Sequence, residues 1–189
     1  MEVPNHKLRY CFICILFICI LSSSLYAQAK TENDRERGYN HQLSIGISFP
    51  AGVFSDSHII GGGIDYTWSN ARFGRFDKRI KKALGFSTAA GVDYFLGKTD
   101  NYNFQYRNYL YSYVYSGLII NSGRRSSVSV LAGPSLQTYT KVADLGYGIT
   151  IRGAYFLKEN MAISPALMYM KHKEADALWA AGVRYYFYF

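Results

Sequence analysis

The chain has 189 residues, a net charge of +8, 49% hydrophobic residues and 18 tyrosines, a length that suits one domain once any leader is set aside. Its cysteines, Cys11, Cys14 and Cys19, all sit near the start, so disulfides, thiolate catalysis and cysteine-ligated metal are excluded from everything that follows them.

The first segment reads as a leader. Lys7 and Arg9 precede an apolar run from Cys11 to Leu21, followed by Ser22, Ser23 and Ser24 and then Leu25-Tyr26-Ala27-Gln28-Ala29. A charged start, a short apolar stretch and a small-residue junction are the parts of a secretory signal peptide. The apolar run is short beside the roughly 20 residues of a spanning helix. A signal peptide over 1–27, cut after Ala27 with Ala29 as the alternative site, is expected ahead of an uncleaved anchor. None of the cysteines has the small preceding residue of a lipidation site: Tyr10, Ile13 and Ile18 stand there. Loss of Lys7, Arg9 and Glu2 with the leader takes one net charge from +8 and leaves +7. That excess is concentrated in connections, above all Arg72 to Lys82, so it does not argue for nucleic acid. Residues 28–40, with the charged stretch Lys30 to Gly38, are read as a flexible segment, and the domain proper is expected over 41–189.

From His41 onward the apolar period is two, with turn chemistry between the runs and no helix-length apolar stripe. Leu43, Ile45, Ile47 and Phe49 alternate with Ser44, Gly46 and Ser48, up to Pro50-Ala51-Gly52. Ile60, Gly62, Ile64, Tyr66 and Trp68 alternate with Gly61, Gly63, Asp65 and Thr67. A third strand, Leu84 to Phe95, sets Leu84, Phe86, Ala90, Val92 and Tyr94 against Gly85, Ser87, Gly91 and Asp93. In the fourth, Tyr109 to Ile120, the residues Tyr109, Tyr111, Tyr113, Tyr115 and Ile119 are taken as the apolar face, opposite Ser112 and Ser116. Ser127 to Leu136 and Leu145 to Leu157 follow, the latter with Arg152 among Gly146, Gly148, Thr150 and Ala154. The seventh strand is Met161 to Met170. The last, Trp179 to Phe189, sets Trp179, Ala181, Val183, Tyr185, Phe187 and Phe189 against Ala180, Gly182, Arg184, Tyr186 and Tyr188.

Eight strands of about ten residues fit an all-β, eight-stranded antiparallel transmembrane β-barrel, which needs an even number of tilted strands. Asn121 to Ser126 and Lys158 to Asn160 read as short turns. Leu96 to Asn108, Gln137 to Asp144 and Lys171 to Ala177 read as longer outer loops, and the basic connection Ser69 to Ala83 breaks the short-long scheme. The apolar face is assigned outward to lipid. It carries tyrosines and Trp68 and Trp179 near strand ends, where interfacial rings belong. The opposite face is rich in Gly, Ser and Ala, as a narrow lumen requires. Four charges, Asp65, Asp93, Arg152 and Arg184, lie on that inner face and would be costly in lipid; pairing of at least one Asp with one Arg across the lumen is expected.

The leader, the alternating strands and the terminal Val183-x-Tyr185-x-Phe187-x-Phe189 resemble the small, porin-like outer-membrane β-barrel family of Gram-negative bacteria. The Ala-Gln junction and the abundance of tyrosine are similar to such proteins of Bacteroidetes-type bacteria. The resemblance implies an outer-membrane location, outer-membrane lipid as surroundings, and Val183, Tyr185, Phe187 and Phe189 as a C-terminal insertion signal read by the barrel-insertion machinery. Some similar barrels are lipid A deacylases or palmitoyltransferases. The deacylases carry a nucleophilic Ser two residues after a His, whereas Glu174 follows His172 here. His172 is therefore expected to be an exposed loop residue. His41 and His58 could approach each other, without a clear third metal ligand. Gly61-Gly62-Gly63 sits inside a strand pattern and fits a bend or a close strand approach. The aromatic run Tyr102, Phe104, Tyr106 and Tyr109 is expected to extend the girdle. No motif requires a cofactor or metal. The expected role is non-enzymatic: structural, adhesive or binding work through the outer loops, for an external ligand the sequence does not name. A small-solute pore is the alternative, and an enzyme acting on lipid A or other envelope lipids comes third.

Overall fold

The computed structural model describes residues 39–73, 84–99, 101–121, 125–139, 142–158, 160–173 and 176–189. The leader, the charged stretch before Tyr39, the greater part of the basic segment Arg72 to Lys82, and Glu174 lie outside the described residues. Eight antiparallel strands follow one another round a closed barrel: β1 (Tyr39–Ala51), β2 (His58–Phe73), β3 (Leu84–Gly97), β4 (Tyr109–Asn121), β5 (Ser126–Tyr139), β6 (Val142–Lys158), β7 (Met161–His172) and β8 (Leu178–Tyr188). β1 begins at Tyr39, two residues ahead of His41.

The terminal strand closes on the first, with Leu43 opposite Phe187 and Phe49 opposite Ala181. The register sets the dimensions. Stepping across the sheet leads from Ala51 to Trp179, Tyr169, Ile149, Ala132, Ser116, Thr88, Trp68 and back to β1 at His41. The return falls ten residues from the start, which is the shear of the barrel. With about 3.3 Å per residue and about 4.8 Å between strands, that shear tilts eight strands by about 40° at a backbone radius of about 8 Å. So narrow a lumen is filled by side chains.

The wall follows the alternation. Leu43, Ile45 and Ile47, Val128 and Val130, and Ile149 and Ile151 are exposed, while Ser44 and Ser48, Ser127 and Ser129, and Thr150 and Arg152 are buried. A continuous aliphatic exterior would be a large apolar patch in water; it is what a bilayer-spanning barrel presents. Trp68 and Trp179 both face outward.

Two expectations about the strands need correction. Tyr109, Tyr111, Tyr113, Tyr115 and Ile119 line the lumen, each no more than 5% exposed. The outward face of β4 is instead Val114, Ser116, Leu118 and Ile120. The reason is complementarity across strands. A Cβ at Gly148 of β6 would strike the hydroxyls of Tyr115 and Tyr111, and one at Gly91 of β3 would strike Tyr113. Rings that large fit an eight-stranded lumen only where a neighbouring strand gives up its side chain. Secondly, Gln137 to Asp144 is hardly a loop, because β5 and β6 stay paired as far as Tyr139 and Val142. The β1–β2 connection, for which the sequence carried no expectation, holds a five-residue helix, α1 (Val53–Ser57), entered through Gly52 at φ 60°.

Candidate functional site

The lumen holds three layers of side chains, and its middle layer is the charge network. Asp65 comes from β2, Asp93 from β3, Arg152 from β6 and Arg184 from β8. Arg184 Nη2 donates to both carboxylate oxygens of Asp93 at 2.7 Å, and its Nη1 lies 3.0 Å from Asp65 Oδ2. Arg152 Nη1 lies 3.3 Å from Asp65 on the other side. The four charges thus form an alternating chain, Asp93–Arg184–Asp65–Arg152, with formal charges that cancel. Neutral groups complete it. Arg152 donates to the Tyr186 hydroxyl at 3.0 Å and to the Tyr113 hydroxyl at 3.1 Å. Tyr113 and Thr67 donate to Asp65 at 3.2 and 3.1 Å. Each of the four charged side chains is at most 5% exposed. Glycines make the room: a Cβ at Gly46 would strike Arg184, and one at Gly63 would strike Asp93. Charges this deep persist because each meets an opposite charge and at least one hydrogen-bond partner.

Toward the end where β1 begins and β8 finishes, Ile119, Phe156, Ala162, Tyr186 and Tyr188 pack together. Between this layer and the charges, a cavity of about 20 Å³ is bordered by Gln42, Thr67, Ser87 and Ser129. That is room for about one water molecule.

The opposite end is closed by aromatic groups. Helix α1 tucks Phe54 into the barrel mouth, 2% exposed, with ring centroids 4.6 Å from His58, 4.9 Å from Phe95 and 5.4 Å from Tyr109. Below it, Tyr111 and Tyr115 join hydroxyls. His172 is not an exposed loop residue. It ends β7 inside this layer, 1% exposed, with its ring nitrogens 3.5 Å from the Tyr109 and Ser135 hydroxyls. The inward parity of β7, which also carries Met168 and Met170, takes it there. A Cβ at Gly146 would collide with its ring, another seat cleared by a glycine. His41 and His58 do not approach: His41 stacks on Phe189 near the start of β1, and His58 sits at the Phe54 end. Among the described residues, no group of His, Cys, Asp and Glu is arranged to hold a metal ion.

Val183, Tyr185, Phe187 and Phe189 point away from the lumen along the seam with β1 and β7. Sequence reasoning missed Phe54 and Tyr113 as parts of the filling, whereas parity had already placed Tyr186 on the inner face of β8. Only Phe54 had a local signal, an aromatic residue next to Val53 in a short, otherwise polar connection after Gly52.

The aromatic connection between β3 and β4 stands beyond the closed mouth. Tyr109 belongs to the lumen and not to a girdle, whereas Tyr102 is 91% exposed and Phe104 58%. The segment is fastened at its base. Gly97 N donates to the Asn108 side chain at 3.0 Å, Tyr106 N to Lys98 O at 2.9 Å, and Lys98 N to Ser57 O at 2.8 Å.

No protein-family model and no curated protein sequence matches the chain. Solved structures do. The Ail attachment invasion locus protein of Yersinia pestis superposes with a TM-score of 0.52 at 12% identity, over 80% of this chain and 98% of Ail. The N-terminal β-barrel domain of Pseudomonas aeruginosa OprF gives 0.52 at 15% identity, over 81% and 99%. The outer membrane enzyme PagL gives 0.56 at 9% identity, over 77% and 98%. At such identities the likeness establishes the fold, that of the small eight-stranded outer-membrane barrels, and no activity.

Proposed function

We propose that this protein is a non-enzymatic outer-membrane barrel of a Gram-negative bacterium that binds or adheres through the connections at its Phe54 end, which face the cell exterior. The observation that carries this reading is the filled lumen. An aromatic seal, a neutralised charge network and a second aromatic layer succeed one another, which leaves a solute no open path along the lumen of the described strands. The small-solute pore and the lipid-modifying enzyme are accordingly set behind the interaction role. Shared fold does not choose among roles, since it serves an attachment protein and an enzyme alike. Outer-membrane lipid is its surroundings, the barrel-insertion machinery its partner in biogenesis, and no nucleic acid, cofactor or metal takes part. The Ala27-Gln28 junction and the abundance of tyrosine support a Bacteroidetes-type origin.

The test has three arms. The purified protein in planar bilayers is expected to give no steady conductance, and expression is expected to leave the lipid A mass spectrum unchanged. Cells expressing it are expected to attach to protein- or mucin-coated surfaces more than cells in which residues 98–108 are replaced by Gly and Ser. Stable channels would restore the pore, and a shifted lipid A mass would restore the enzyme.

A further inference from the structure

The β3–β4 connection carries a pattern that closure of the barrel does not use. From Asn101 to Tyr106 amide and aromatic side chains alternate strictly, with Asn101, Asn103 and Gln105 between Tyr102, Phe104 and Tyr106. We propose that this hairpin is a carbohydrate-binding platform for neutral pyranose glycans, with Tyr102 and Phe104 stacking on sugar faces and the amides bonding to hydroxyls. The proposal rests on the reading of the outer connections as the working part of the molecule.

Three observations support it. First, the rings are out of place energetically. The fold seats Tyr109, Tyr111, Tyr113 and Tyr115 in its lumen, yet leaves Tyr102 91% and Phe104 58% exposed. Removing such side chains from water is favourable, a gain that a ligand covering them would recover. Secondly, the platform is built in advance. Its base is fastened by the Gly97–Asn108, Tyr106–Lys98 and Lys98–Ser57 hydrogen bonds, and Asn108 Nδ2 donates to the Tyr94 hydroxyl at 2.5 Å. A bridge pairs Thr99 with Gln105, and Asn103 makes the turn at φ 61°, a left-handed conformation that Asn tolerates. Phe104 and Tyr106 pack edge to face with centroids 5.0 Å apart. Less ordering remains to be done on binding. Thirdly, the chemistry selects the ligand. The C–H face of a pyranose carries the slight positive charge that an aromatic face attracts. Amide side chains both donate and accept, as hydroxyls require. The stretch from Asn101 to Tyr106 has no charged residue to recruit a charged partner.

The test uses the full-length protein in detergent micelles, titrated calorimetrically with maltohexaose, cellohexaose and mannohexaose. At least one is expected to bind saturably. Tyr102→Ala and Phe104→Ala are each expected to weaken it by about tenfold, with the heat-dependent gel shift of the folded barrel retained. Affinity is expected to change little between about 0.05 and 0.5 M salt, because no ion pair is involved. Silence toward all three sugars, or binding unchanged by both substitutions, overturns the platform. Binding that collapses with salt replaces it with a charge-driven contact and overturns it too. If the sugars fail while replacement of 98–108 still abolishes cell attachment, the outer-connection reading stands and the glycan is wrong; if attachment also survives, both fall.

Discussion

β4 and β8 are the two tyrosine-rich strands of the barrel, and they use their rings differently: β4 turns its tyrosines inward, whereas β8 divides its rings between the two faces. β4 sends Tyr109, Tyr111, Tyr113 and Tyr115 inward and shows Val114, Leu118 and Ile120 to the bilayer. β8 sends Tyr186 and Tyr188 inward beside Arg184, and turns Tyr185 and Phe187 outward with Phe189 beyond them. Aromatic character therefore does not mark the lipid face of a narrow barrel. An aliphatic parity does, because Leu, Ile and Val have no hydrogen bond to satisfy in hydrocarbon, while a buried tyrosine hydroxyl finds a partner in the lumen. On β8 the inward tyrosines follow Arg184 on the same face, and Tyr186 accepts from Arg152 at 3.0 Å. On β4 Tyr113 does the same at 3.1 Å.

The comparison can be broken most forcefully at Arg184. Arg184→Ala on the inward parity of β8 leaves Asp93 and half of Asp65 buried without their cation, and is expected to cost about 3–5 kcal/mol in urea unfolding from lipid vesicles. A loss under about 1 kcal/mol would mean that water or a neighbour already shields the carboxylates. Next is Val114→Arg, which puts a charge on the outward face near the middle of β4. It is expected to cost about 2–4 kcal/mol by the same measurement. Tolerance of that substitution would place Val114 in the lumen and the tyrosines in lipid, reversing the assignment. Tyr113→Phe keeps the ring and removes the hydroxyl that donates to Asp65 and accepts from Arg152, so a loss of about 1–3 kcal/mol is expected. Tyr185→Leu, which keeps an apolar group on the outward face, is expected to stay within about 0.5 kcal/mol. The smallest perturbation is optical: brominated acyl chains are expected to quench Trp68 and Trp179 alike, because both point outward, and selective survival of either emission would move that residue off the lipid face.

Much of this was legible in the residues, and the misreading on β4 has a definite cause. Val128 and Val130 alternating with serines, or Ile149 and Ile151 with Thr150 and Arg152, leave one side unambiguously apolar. On β4 both parities are apolar enough to face lipid, Tyr109 to Tyr115 on one side and Leu110, Val114, Leu118 and Ile120 on the other. The deciding information lies on other strands, in Gly91 and Gly148, whose missing side chains admit Tyr113, Tyr111 and Tyr115. His172 was misplaced for a related reason. It follows Lys171 in a polar-looking stretch, and only the continuation of the β7 ladder, which pairs it with Gly146, carries it inside.

The order of partners within the charge network was equally out of reach. Asp65, Asp93, Arg152 and Arg184 are legible as inner-face charges from parity alone. That Arg184 joins both acids while Arg152 takes Asp65, Tyr113 and Tyr186 follows from which residues the shear brings to one height. Local alternation and turn chemistry determined by themselves that this chain makes strands, how many, and which charges avoid the bilayer, because those properties belong to neighbours in sequence. The tertiary structure alone decided what fills the lumen, which acid meets which base, and how Phe54 closes the mouth. Those contacts join residues from strands far apart in the chain, and their heights and facing depend on a register that no single strand encodes.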